Sequence, residues 1–203
     1  GASMPGFYKI GRSNADHWPY AKPGNWNDPD YILIGWVGGA HQMGEGVQTS
    51  LTPNEQYFYM SMWSLMAAPL IFSGDMAKLD PFTLNVLCNH EVIEVNQDPL
   101  GKQGRIIREA DNQMIMLKEL EDGSKAIGLF HVSGELTSPL DYFDWGERSA
   151  VKMKISAEEL GIEGAFFARD LWRQKDLGKF EGSLELEIPW HGVQMIRIHP
   201  VSK

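Results

Sequence analysis

Two carboxylates and an indole fall together in Trp26-Asn27-Asp28-Pro29-Asp30, directly ahead of the apolar run Tyr31-Ile32-Leu33-Ile34-Gly35-Trp36-Val37. Acidic and aromatic groups at the end of a buried strand suit sugar chemistry. The ring stacks on a hydroxyl-bearing sugar, and the carboxylates bind hydroxyls or move protons. Proline pushes Asp28 into an extended conformation, so residues 28 and 30 are expected on the same side. Their Cβ atoms would then lie about 6.5 Å apart, within the roughly 5–9.5 Å that separates paired glycosidase carboxylates. Direction argues against a self-contained catalytic dyad. An acid and its partner approach the anomeric carbon from different directions, whereas neighbours on one strand approach from the same side. Two readings stay open: one carboxylate binds substrate hydroxyls, or an aspartate caps a turn or pairs with a buried basic group.

Other candidate chemistry is sparser. The loop from Gly38 to Gly46 is glycine-rich but lacks the Lys-Ser/Thr of a phosphate loop, and reads as a rim loop. His17, His41, His90, His131, His191 and His199 are dispersed, with no pair at metal-ligand spacing on one helix, so no metal and no cofactor is expected. Ser73, in Phe-Ser-Gly-Asp, is not a nucleophile elbow. Asp75 follows a strand and could touch a ligand, but turn or helix capping is the favoured role. The cluster Tyr142-Phe143-Asp144-Trp145 could stack on carbohydrate or close a sandwich core. Cys88, the one cysteine, lies in the apolar pattern of Leu84 and Leu87 and is expected in the core.

The elements that must position these groups differ between the two halves. Up to about residue 98 strand-like and helical segments alternate. Tyr31–Val37 reads as a strand buried on both faces. Thr52, Pro53 and Glu55 form a capping box for a helix running to about Ala68. Pro69–Ser73 reads as a second short strand, and Asp80-Pro81 starts a helix reaching about His90. This order belongs to a parallel α/β fold. From Gly101 onward short alternating runs, roughly seven, lie between turn signals such as Asp122-Gly123, as in an antiparallel sandwich. Residues 96–101 read as the junction. A net charge of −9 without a basic stripe argues against nucleic acid, and no apolar run reaches the length of a membrane helix.

Several segments resemble glycoside hydrolase family 27, the α-galactosidases and α-N-acetylgalactosaminidases. Trp26–Asp30 resembles its signature. The stretch from Met62 to Ile71 is similar to its seventh helix and eighth barrel strand, and Val95–Gln103 to the link into its C-terminal sandwich. Arg169–Arg173 and Pro189–Val193 resemble elements of that sandwich in microbial members. The resemblance implies the last units of a (β/α)₈ TIM barrel over residues 1–98, followed by an antiparallel β-sandwich over 99–203. It implies a retaining exo-glycosidase acting on terminal α-galactosyl residues with two aspartates and no metal. Those aspartates, in Lys-x-Asp and Arg-x-x-x-Asp contexts, belong upstream, so none of the residues here is assigned as catalytic. Arg12–Asp16 has the second spacing only superficially, and Asp16 is read as a loop or helix end. The resemblance makes Asp30 a ligand of sugar hydroxyls, with Tyr31 beside it where the family often has Met, and Trp26 supporting that wall. The chain alone is then expected to be inactive. Its incomplete barrel would need self-association or a companion fragment carrying the earlier strands. The compartment is not legible, although the resemblance allows a secreted or periplasmic parent. The contrasting reading is a stand-alone carbohydrate-binding or structural sandwich with a barrel remnant.

Overall fold

The structure, a computed structural model, describes residues 3–39, 44–132 and 148–201. Its organising element is a buried helix, α2 (Pro53–Leu65). The expected capping box is present: Thr52 Oγ1 accepts from the Glu55 N–H, and the Glu55 carboxylate accepts from the Thr52 N–H at 2.7 Å. The helix ends at Leu65 rather than Ala68, because Ala67 adopts φ 51° and turns the chain. Its buried residues run from Glu55 to Leu65 with only Tyr57 omitted, so it meets protein on nearly every side.

One side of α2 meets α1 (Met4–Ala15), capped by the Ser3 hydroxyl. Phe7 of α1 stacks on Tyr59, with centroids 4.3 Å apart. Beyond α2 lie α3 (Pro81–Leu87) and α4 (His90–Asn96). The helix expected from Asp80 to about His90 stops earlier, at Leu87, and α4 starts afresh at His90, where Asn89 caps it by accepting from the Val92 N–H. That break leaves Cys88 exposed, a correction to its expected place in the core.

The expected strand over Tyr31–Val37 is also corrected. Its regular part shrinks to β1 (Trp36–Val37), paired antiparallel with β2 (Val47–Gln48), and a single parallel bridge joins Ile32 to Phe72. Ile32 and Ile34 are buried while Tyr31 is exposed, so burial is one-sided. Gly35 interrupts the segment at φ 70°, where a Cβ would also come within 2.9 Å of Thr83.

The β half begins with β3 (Arg105–Ala110), β4 (Gln113–Glu119) and β5 (Lys125–His131), with Asp122-Gly123 in the expected hairpin turn. It continues through β6 (Val151–Ser156), β7 (Ala165–Asp170), β8 (Lys175–Glu181), β9 (Ser183–Ile188) and β10 (Val193–Pro200). The larger sheet has the order β3-β4-β5-β10-β7-β8, and β6 pairs with β9 in a smaller one. Ile115, Leu117, Ile127 and Leu129 face Met153, Ile155, Leu184 and Ile188 of the small sheet. Alternate residues of the same strands, Met114, Met116 and Phe130, join the core around α2. Gly128 lets the helix lie close, since a Cβ there would meet Leu65 at 2.6 Å. Strand β8 was not legible: only Leu177 and Phe180 pack inward along it.

Candidate functional site

The Asp30 segment is a tight turn rather than an extended strand. Asp28 Oδ1 accepts from the Asp30 N–H at 2.9 Å, an Asx turn, and Asp30 sits at φ 83°. Asp30 Oδ1 in turn accepts from the Tyr31 N–H at 2.8 Å. The turn bends the segment that the expected shared orientation of the two aspartates required to be extended. Asp28 thus takes the turn-capping role left open by the sequence.

A left-handed aspartate costs about 1–3 kcal/mol and persists only where its surroundings fix it. Here α2 does the fixing. Trp63 Nε1 donates to the Asp30 carbonyl at 2.8 Å, and the Tyr59 hydroxyl donates to the Tyr31 carbonyl at 2.8 Å. Burial pushes the Tyr59 phenol well above its ordinary value, so it stays protonated and remains a donor. Tyr59 and Trp63 lie four apart on one helix face. Sequence reading missed their role, although the spacing of two polar-tipped aromatics in an otherwise buried helix was available as a signal. On the far side, the Ile32 N–H donates to the Ile71 carbonyl and the Ser73 N–H to the Ile32 carbonyl.

Asp30 opens onto a cleft of about 800 Å³ between the turn and α1, lined also by Lys9, Ser13, Asn14, His17 and Asp28. Asn27 ties its floor together: its amide donates to the His17 carbonyl at 2.7 Å and to Gln103 at 2.8 Å, and Gln103 donates to the Asn14 carbonyl at 3.0 Å. One wall of this floor therefore reaches into the start of the β half. The arrangement offers carboxylate acceptors, amide and imidazole groups, and an ammonium, which suit a ligand rich in hydroxyls.

The three residues expected to share the site do not all gather there. Asp30 lines the cleft and Tyr31 follows it in the chain, 43 % exposed. Trp26 lines a different cavity, about 290 Å³, with Pro23, Pro69, Asn96 and Asp98, and packs over Gly101. Asp16 is the helix end that was expected, C-capping α1 and ion-paired with Arg12 at 2.7 Å. Asp75 caps a turn by accepting from the Ala77 N–H, as favoured. Tyr142–Trp145 and His41 lie outside the described residues. Among the described residues no group of three or more His, Cys, Asp or Glu side chains could hold a metal ion.

Comparison with known proteins adds the wider context. The family model for alpha galactosidase A matches residues 9–98, and that for the alpha galactosidase C-terminal beta sandwich domain matches 110–198. Alpha-galactosidase A of Cellvibrio japonicus is 32% identical over 184 residues, covering 89% of this chain and 41% of its own length. Alpha-galactosidase 3 of Arabidopsis thaliana is 32% identical over 186 residues, covering 89% of this chain and 37% of its own length. The fold is similar to that of a glycoside hydrolase family 27 β-L-arabinopyranosidase from Geobacillus stearothermophilus. The TM-score is 0.82 at 24% identity, over 97% of this chain and 42% of that one. The chain spans about two fifths of the length of the curated relatives it matches.

Proposed function

The chain belongs to the α-galactosidase (melibiase) family of glycoside hydrolases, and from that premise we propose that it is the C-terminal part of a retaining exo-glycosidase that removes terminal α-galactosyl residues. Residues 1–98 form the last portion of the barrel and 99–203 the sandwich, a division supported by family matches over 9–98 and 110–198. The catalytic nucleophile and acid/base lie upstream, so the chain alone does not turn over substrate. In the complete enzyme one aspartate attacks the anomeric carbon to give a covalent glycosyl intermediate. The other protonates the departing oxygen and then activates water.

Asp30 binds sugar hydroxyls, Tyr31 forms the adjoining wall, and Trp26 braces the same segment from its own cavity. The observation that carries this reading is the way Asp30 is held. Its unfavourable backbone and the carbonyl that follows are pinned by buried Trp63 and Tyr59, at the mouth of a polar cleft. Preorganisation of this kind lowers the cost of orienting a ligand. Hydrogen bonds to a charged group are worth about 1.5–3 kcal/mol, and each 1.36 kcal/mol of barrier is about tenfold in rate. Asp30→Ala in the complete enzyme is therefore expected to lower kcat/KM on an aryl α-galactoside by about 10–100-fold. Near-normal hydrolysis by a folded Asp30→Ala enzyme refutes the assignment.

The partner follows from the same open barrel. Ile10 and Ile71 are 44% and 53% exposed, and among the described residues a single bridge, Ile32–Phe72, pairs the barrel segments in parallel. A companion carrying the earlier strands, or a second copy, covers this edge.

A further inference from the structure

Residues 101–104 lead from the helical half into the β half and are fixed at three points. At Gly101, φ is 63° and a Cβ would meet Pro23 at 2.7 Å and Trp26 at 2.9 Å. At Gly104, the N–H donates to the carbonyl of Leu65, the last residue of α2, at 2.7 Å. The Lys102 carbonyl accepts from the buried Lys118 ammonium of β4. Between these points sits Gln103, 5% exposed, with its amide used at both ends. Nε2 donates to the Asn14 carbonyl, near the end of α1, at 3.0 Å, and Oε1 accepts from Asn27 Nδ2 at 2.8 Å. Asn27 Nδ2 also donates to the His17 carbonyl at 2.7 Å. A carbonyl oxygen only accepts, so the Asn14 and His17 carbonyls dictate how both amides are turned. Asn27 directly precedes Asp28, whose carboxylate accepts from the Asp30 N–H at 2.9 Å. Pro29, between the two aspartates, is buried and its ring fixes φ. The path from Gln103 to Asp30 therefore has few free torsions.

We propose that Gln103 is a positioning residue for Asp30, through which the β half sets the geometry of the sugar-binding turn. Gln103 touches no substrate. Trp63 and Tyr59 hold the turn from α2, and Gln103 holds its start from the other half of the chain. The inference rests on the sugar-binding role of Asp30, and it gives the sandwich a part in the reaction. Removing the Gln103 amide leaves the Asn14 carbonyl and one Asn27 hydrogen unpaired where water has little access. The start of the turn then loses the contact that fixes it. Displacing a positioned group by about 1 Å can lower a rate about 100-fold.

The Trp63 indole N–H is the reporter, because it donates to the Asp30 carbonyl at 2.8 Å. The Trp172 indole N–H is the control, because its acceptor, the Ser61 hydroxyl at 2.7 Å, lies on another face of α2. In the 203-residue chain, Gln103→Leu should shift the Trp63 resonance and speed its hydrogen exchange at least about tenfold, with Trp172 unmoved. Asn27→Ala should move Trp63 the same way, and the double variant should add little to either. Gln103→Glu separates positioning from packing. Its neutral carboxyl keeps one donor and one acceptor, whereas its ionised form keeps acceptors only. The Trp63 resonance of Gln103→Glu should therefore return to the wild-type position as pH falls, with wild type measured at each pH. In the complete enzyme, Gln103→Leu should lower kcat/KM on an aryl α-galactoside at least about tenfold. An unmoved Trp63 resonance in Gln103→Leu overturns the proposal, as do equal shifts at Trp63 and Trp172, or a Gln103→Glu chain indifferent to pH. Near-normal turnover by Gln103→Leu overturns it where Asp30→Ala is impaired. Where Asp30→Ala also turns over normally, the sugar-binding role falls instead, and the Trp63 result alone decides the positioning. Should Gln103→Leu fail to fold, Gln103→Glu across pH decides the matter.

Discussion

Replacing Glu55 with alanine should cost this chain more than any surface change, because Glu55 joins the two halves at a buried point. It is 1% exposed. Its Oε2 accepts from the Thr52 N–H at 2.7 Å and from the Thr52 hydroxyl at 3.0 Å, completing the cap of α2. Its Oε1 lies 2.9 Å from Nδ1 of His191, itself 3% exposed, in the turn leading into β10. The neighbouring amide of Asn54 donates to the Trp190 carbonyl at 3.3 Å, so the helix start and this turn are doubly tied. Loss of a cap costs about 1 kcal/mol, and a buried donor left without its acceptor costs about 1–3 kcal/mol. Breaking a buried pair from one side typically costs about 3–5 kcal/mol, which we take as the expected total for Glu55→Ala. For a chain of this size that lowers Tm by about 6–20 °C. Glu55→Gln keeps the shape and an acceptor for Thr52 and should cost less.

The pH dependence supplies the sharper test. Burial alone would raise the Glu55 carboxyl, but hydrogen bonds from His191 and Thr52 hold it below its ordinary value of 4.5. A carboxylate with a depressed folded value contributes stability that is complete above the unfolded value and is lost as pH falls through the folded one. The stability difference between wild type and Glu55→Ala should therefore stay level through neutral pH and shrink below about pH 4.5. His131 adds a separate slope. Burial and the nearby His191 push it below its ordinary value of 6.5, and its Nδ1 has no hydrogen-bond partner among the described residues. The folded chain thus loses stability on acidification below that value, a slope that sets in at higher pH than the loss of the Glu55 contribution. Thermal melts followed by circular dichroism measure both effects. A loss under about 1 kcal/mol, or a difference that persists unchanged well below pH 4.5, refutes the reasoning.

Lys118 lies fully buried on β4 with its ammonium donating to the Lys102 carbonyl, and burial pulls it down to about 8 despite the opposing influence of Asp98. The charged form is thus disfavoured by folding, so stability should rise as pH climbs from about 8 towards the unfolded value of 10.5. Lys118→Met should abolish that rise while changing neutral-pH stability little or favourably, and a chemical-denaturation series across alkaline pH decides it. The open barrel edge predicts that the isolated chain self-associates or that its first half is partly unprotected; a monomeric, uniformly protected chain by light scattering and hydrogen exchange contradicts that.

What could be read from the sequence was what local chemistry fixes. Thr52, Pro53 and Glu55 specify a helix start within four residues, and the structure has it. The alternation of β4 and β5 is a period-2 signal with two different cores on its two faces, and those strands were legible for that reason. Misreadings arose where a remote partner outweighs a local pattern. Pro29 argues for extension at Asp28, yet the Asx turn and the Trp63 indole hold Asp30 in a left-handed conformation that no spacing rule announces. The apolar run after it looks like a strand buried on both faces, but Gly35 and a single bridge to Phe72 leave it fragmentary. Cys88 looks apolar in a helical pattern, but Asn89 begins a new helix and turns it outward. The Glu55–His191 contact spans 136 residues and has no sequence signature at all. Each of these surprises lies where the first half meets α2 or the β half. Strained and buried polar groups collect at such junctions because packing from two sides can enforce what one segment alone would refuse. The same logic explains why the sugar-binding reading rests on Asp30 rather than on Asp28: both are acidic and adjacent to the proline, but Asp30 is the one whose backbone the helix Pro53–Leu65 holds in place.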